Sequence, residues 1–183
     1  MRRSLARTAL LVLPAALLLA PAPAAAQALD DATIVAIFDA ANTADIETGS
    51  LAAKRAQSKE VRDYGAMIAH DHEAVRQLGR DLAKQLGVTP TPPAGDTSAE
   101  TQAATMAKLQ AKHGAEFDLA LMQHEVAFHS GVINAIQTTL LPAIHNAQLK
   151  ALVEKVVPAF QAHLAVAQRL EQQLRDGKAT AAK

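Results

Sequence analysis

Between residues 149 and 174 the inward-type positions recur at alternating steps of four and three: Leu149, Val153, Val156, Phe160, His163, Ala167, Leu170 and Leu174. Only an α-helix brings such positions onto one face, and a seam this narrow is covered by other helices rather than by a sheet. The rest of the chain must therefore supply helical partners, and no strand-like alternation competes with that reading. Pro158 lies inside this helix and removes the bond to the Glu154 carbonyl. That loss costs about 3 kcal/mol in an isolated helix, so packing has to offset it.

Upstream, the spacing predicts a first helix from about Asp30 to Ala56. Ile34, Ile37, Ala41, Ala44 and Leu51 are its expected inner face, and Asp30 and Asp31 stand at its positive end. Ser58 is placed to cap a second helix that runs to Leu86 and stops at Gly87, with a stripe of Val61, Tyr64, Ile68, His72, Val75, Leu78 and Leu82. The stretch from Gly87 to Asp96 holds three prolines and two glycines and cannot be helical. Thr97 and Glu100 have capping-box spacing for a short helix to about Lys112. After a break at Gly114 a long helix is expected from Ala115 to Leu140, ended by Leu141-Pro142, and Asn146 is placed to cap the last helix, which closes near Asp176 at Gly177. The result is an all-α, four-helix bundle over residues 30–176 with a Pro-rich crossover, one short extra helix and a frayed tail over 177–183. Two orders fit these elements: a one-crossover bundle, or an up-down-up-down bundle with the short helix as a lid.

The beginning of the chain reads as an export leader. Arg2, Arg3 and Arg7 precede an apolar run from Ala9 to Ala20, and small residues follow Pro21 and Pro23. This is the plan of a cleaved signal peptide over residues 1–26, with cleavage after 28 the other choice, and it places the mature protein in the periplasm with no membrane span. Removing three of the 18 basic residues leaves 15 against 18 acidic ones, a mature charge of about −3. There is no Cys, so no disulfide contributes to stability. Aromatic residues make up only 3% and no basic run occurs, which argues against nucleic acid as a partner. A monomer or weak homodimer is expected.

Four segments in order resemble one family. They are Asn42-Thr-Ala-Asp-Ile-Glu-Thr-Gly49 with Leu51-Ala-Ala-Lys54; Val61-Arg-Asp-Tyr-Gly-Ala-Met-Ile-Ala-His-Asp-His72; Phe117-Asp118-x-Ala120-x-Met122 continuing to His129; and Pro158-x-x-x-x-His163-Leu164. Together they resemble the domain-of-unknown-function 4142 family of exported bacterial proteins. The resemblance implies a ferritin-like fold and export, and brings no established activity. Phe128 stands where the family usually has Asp before the third-segment His, and Ala41-Asn42 stands where it usually has paired Gly.

Each long helix carries groups able to bind or transfer protons. Seven His are present, and His72, His129 and His163 fall on apolar seams of three different helices. An apolar setting favours the neutral imidazole, which is the metal-binding form. The first helix offers Asp45 and Glu47, of which Glu47 is taken as the fourth ligand of a candidate metal site with His72, His129 and His163. Asp71, Glu125, Met67 and Met122 are additional candidates. Copper or zinc suits this set, the two thioethers favouring Cu(I). A di-iron site of the usual kind is not expected, because the chain contains no Glu-x-x-His pair. The same residues fit a metal-free His–carboxylate network that fixes helix register. No nucleophile elbow or phosphate loop is present, so the leading expectation is a non-enzymatic structural or stress-protective protein, with a copper- or zinc-binding bundle as the alternative.

Overall fold

A computed structural model describes residues 29–181 of the chain, with side chains through residue 177. The expected leader lies outside the described residues, as do Ala182 and Lys183. The helices are α1 (Asp31–Arg55), α2 (Lys59–Leu86), α3 (Ser98–Gln110), α4 (Gly114–Ala135), the short α5 (Leu141–Ala143) and α6 (Ala147–Ala181). There is no strand among the described residues.

Their ends are set by the local chemistry of the sequence. Asp30 Oδ1 accepts from the Thr33 amide at 2.7 Å, Ser58 Oγ from Val61, and Asn146 Oδ1 from both Gln148 and Leu149. Gly87 closes α2 in the left-handed region at φ 65°, where a residue without Cβ is unstrained. Three expectations are corrected. Thr97 makes no side-chain cap; Asp96 instead accepts from the Ser98 amide at 3.0 Å. The fourth helix stays α-helical only to Ala135 and then makes a π turn over Ile136–Leu140, closed by the Leu141 amide donating to the Ile136 carbonyl. The last helix continues through Gly177 to Ala181, and it runs unbroken through Pro158.

Helix α1 packs against α2 and α4, and α6 packs against the same two from the opposite side. The Asp31 carboxylate at the start of α1 accepts from the amides of His145 and Asn146 at the start of α6, both at 2.9 Å. At the other end Arg55 donates to the carbonyls of Gln110 and Lys112, just before α4 begins. These ties make α1 and α6 parallel diagonals, with α2 and α4 running the other way. The segment from Gly87 through α3 must then travel back along the bundle, so the one-crossover order holds and the up-down-up-down order does not. Gln102 fastens this crossover to α1, donating to the Ala44 carbonyl at 3.1 Å and to Glu47 at 3.0 Å.

Two apolar clusters fill the interior. One gathers Ile34, Phe38, Ile133, Ile136, Leu149, Val153 and Phe160. The other gathers Ala52, Val61, Ile68, Phe117, Leu121, Met122 and Leu170. Along every long helix the chain passes from one cluster to the other through buried polar residues: Asn42, Asp45 and Thr48 on α1, His72 on α2, Glu125 and His129 on α4, and His163 on α6. The last-helix seam is buried as its spacing predicts, apart from a half-buried Leu174. On α1 the predicted face is rotated: Phe38, Asn42, Asp45 and Ala52 are buried, whereas Ile37, Ala41, Ala44 and Leu51 lie half-buried at its flank. On α2 the stripe shifts after His72, so that Gly79 and Ala83 face inward and Leu78 is 48% exposed.

Candidate metal centre

The polar layer is built from three imidazoles and two carboxylates, contributed by all four long helices. The ring centroids of His72, His129 and His163 stand 5.3–5.7 Å apart, and Phe160 stacks on His72 at 4.8 Å. One nitrogen from each ring lies within 4.8 Å of those of the other two. Asp45, Glu125 and His129 form a second such group that shares His129.

Hydrogen bonds fix which nitrogen of each ring faces the layer. The Asn42 amide nitrogen donates to the Phe38 carbonyl at 2.7 Å, so its oxygen is free to accept the Nδ1–H of His72 at 2.8 Å. His129 donates its Nδ1–H to the Glu125 carbonyl at 3.1 Å. His163 donates Nε2–H to the Asp71 carboxylate at 3.1 Å. The opposite nitrogens, Nε2 of His72, Nε2 of His129 and Nδ1 of His163, are buried and make no well-aligned hydrogen bond. Asp45 Oδ2 lies 2.8 Å from the first of these and 3.3 Å from the second, close in distance but off the ring N–H direction. A neutral ring points a lone pair there, and a lone pair facing a carboxylate needs a proton or a cation between them.

Electrostatics follow from this crowding. Burial alone would push the Asp45 carboxyl up, but the closeness of the His72 ring, aided by His129, holds it below the ordinary carboxylate range. Glu125 is fully buried, and burial and then the Asp45 charge push its carboxyl well above the ordinary range, so it keeps its proton. Tyr64 faces the same pair, and burial together with the Glu125 and Asp45 charges raises its hydroxyl. Burial lowers His129 to about 4 against the opposing pull of Asp45. His163 is lowered by burial too, with Asp71 opposing.

The sequence-derived candidates divide accordingly. His72, His129, His163 and Glu125 come together, and Asp71 supports His163 from a half-exposed position. Glu47 does not join them: it is exposed and bonded to Gln102. It stands two residues from Asp45, about 200° around a helix of 3.6 residues per turn, so the two cannot both face inward. Met67 is 37% exposed, and Met122 is buried in the second apolar cluster. Asp45, Asn42 and Tyr64 belong to the layer although the sequence reading did not choose them. For Asn42 and Asp45 the signal is the spacing Phe38, Asn42, Asp45 and Ala52, an α1 seam one position away from Ile37, Ala41, Ala44 and Leu51, whereas Tyr64 lies on the expected α2 stripe.

Fold and site thus define an all-helical protein whose four long helices enclose a His–carboxylate layer between two apolar clusters. The family model described as "Domain of unknown function (DUF4142)" matches residues 17–170, and the chain belongs to that family. No curated protein and no solved structure is matched.

Proposed function

We propose that this chain is an exported, ferritin-like bundle that binds one divalent transition-metal ion in its polar layer. A single arrangement carries the reading: each of three rings donates one N–H to a carbonyl, amide or carboxylate oxygen and leaves its other nitrogen buried and unbonded. Metal-ligating histidines have this arrangement, in which the outer bond fixes the tautomer and aims the lone pair. Donor atoms around a tetrahedral ion at about 2.0–2.2 Å stand roughly 3.3–3.6 Å apart. Asp45 Oδ2 is at or inside that spacing from two rings, and the three imidazoles each offer a nitrogen within 4.8 Å of the others. The ligands are His72, His129, His163 and Asp45, while Glu125 keeps its proton beside Asp45.

Three imidazoles and one carboxylate suit zinc(II) or copper(II). The Cu(I) reading loses its thioethers, since Met67 points outward and Met122 packs among apolar side chains. Export to the periplasm rests on the basic Arg2, Arg3 and Arg7 ahead of the apolar run. Among the described residues no helix is long and apolar enough to cross a membrane.

Calorimetry with zinc(II) and copper(II) tests the metal reading. Binding at a stoichiometry of one is expected, with a rise in melting temperature because the ion prefers the folded chain. His163→Ala should lose most of both effects, whereas His113→Ala, at the exposed start of α4, should lose neither. Absence of heat and of a melting shift with both metals ends the reading and leaves a metal-free register network.

A further inference from the structure

Beside the polar layer, between α1 and α4, lies a chamber of about 60 Å³. Its inner wall is made of buried residues, among them Phe38, Ile136, Leu140 and Phe160, and it touches His72 and Asn42. The π turn shapes it: Ile136 and Leu140, the first and last residues of that turn, both line the chamber. Such turns concentrate at functional sites, where the widened backbone re-aims side chains.

The chamber has room for about two waters at roughly 30 Å³ each, but a buried water needs two to four polar partners. The surface its wall presents to the chamber is almost wholly apolar. Asn42 gives its amide to Phe38 and takes its proton from His72, and the free nitrogen of His72 faces Asp45. What remains is aliphatic and aromatic surface, so the chamber is dry, and dry apolar cavities take apolar guests. An engineered cavity that admits benzene measures about 150 Å³. At about 60 Å³ this one fits a single noble-gas atom or a diatomic molecule. A bare cation gains nothing from that apolar surface, and the unbonded Nε2 of His72 faces Asp45 instead.

The chamber also has an approach. A cleft of about 810 Å³ opens between α1, the crossover with α3, and α4. Ile37, Ala41 and Phe128 line both the cleft and the chamber, and all three are half-buried. Ile37 and Ala41 come from the flank of α1 that its apolar spacing had suggested for the core, so this apolar surface has a use outside it. The Phe128 ring lies 6.0 Å from the His129 ring at a near-perpendicular 78°, and is the largest group at the boundary.

We propose that the chamber binds a small apolar molecule of diatomic size, dioxygen being the chemically reactive member of that class dissolved in aerated water. It is admitted from the cleft past Phe128 and held against the edge of the polar layer. Methyl-resolved NMR of the purified protein, stripped of metal by a chelator, tests this with xenon and with dissolved dioxygen. Saturable xenon shifts and paramagnetic broadening by dioxygen should concentrate on the methyls of Ile136, Leu140 and Val132. They should be small at Leu149 and Val153, equally buried in the same cluster. Ala135→Leu, which fills the chamber from α4, should abolish the shifts, and Phe128→Trp, which blocks the mouth, should abolish or slow them. If Phe128→Trp fails to fold, Ala135→Leu decides alone. Equal effects at Leu149 and Ile136, or full shifts in a folded Ala135→Leu protein, overturn the proposal. Because the sample holds no metal, the chamber and the metal site stand or fall separately.

Discussion

At the scale of single residues, the layer is governed by which nitrogen of each ring is bound from outside. Asn42 is the clearest case, because its amide is oriented by Phe38 and leaves one role for its oxygen, accepting from His72. Asn42→Ala releases the His72 tautomer, and supporting contacts of this kind are worth about 10–100-fold in metal affinity. That loss is expected in a zinc titration, and unchanged affinity would show that the Asn42 bond does not orient a ligand. Asp45→Ala should cost more than Asn42→Ala, because it removes the oxygen that faces two rings. Glu47→Gln, on the opposite side of α1, should cost nothing in the same titration. Equal losses for Asp45 and Glu47 would point to a surface site.

Among elements, legibility in the sequence tracked how uniform each helix is. Helix α6 alternates four and three without interruption, and its seam, Asn146 cap and inward His163 follow from spacing alone. Helix α1 is rich in alanine on several sides, so the pattern underdetermines its rotation; a face through Ala41 and Ala44 rather than Asn42 and Asp45 leaves out the carboxylate that α1 buries in the layer. The π turn over Ile136–Leu140 carries no local signature in the sequence. Long-range caps were also invisible. Asp118, buried on α4, accepts from the amides of Gln57 and Ser58 at 2.9 and 2.7 Å and so holds the turn that begins α2. Asp118→Ala strands both donors and should destabilise the fold by about 1–3 kcal/mol; a urea midpoint equal to that of the parent would mean that water replaces the carboxylate at no cost. Close approach of α1 and α2 sets a second limit. A Cβ on Gly65 would meet Ala52 Cβ and stand 2.6 Å from the Gly49 carbonyl oxygen, so backbone must move. Gly65→Ala should therefore cost about 1–3 kcal/mol, the usual range for overpacking. Gly131→Ala, with open space around it, should not destabilise, and similar midpoints for the two would contradict the close contact.

On the scale of the whole molecule, a charged layer between two apolar clusters makes stability depend on protons taken up or refused in one place. Burial lowers His129 to about 4 from an ordinary 6.5, so the unfolded chain binds more protons between those values. Stability from this group is complete above about pH 6.5 and is lost as pH falls toward 4, worth about 3 kcal/mol at 1.36 kcal/mol per unit. His163 and His124, likewise lowered by burial, act in the same sense. Glu125 acts in the opposite sense: its raised carboxyl holds a proton that the unfolded chain has released, so acidification toward its ordinary 4.5 favours the fold. Asp45, held low, adds a loss only below its ordinary 3.8. The two opposing slopes overlap above Glu125's ordinary 4.5 and should partly cancel in the metal-free protein. Glu125→Gln keeps a donor toward Asp45 but removes the compensating proton uptake. Its metal-free form should therefore lose stability more steeply than the parent between pH 6.5 and 4.5, measured by urea unfolding at several pH values. Parallel slopes in the two proteins would mean that Glu125 is ionised in the fold.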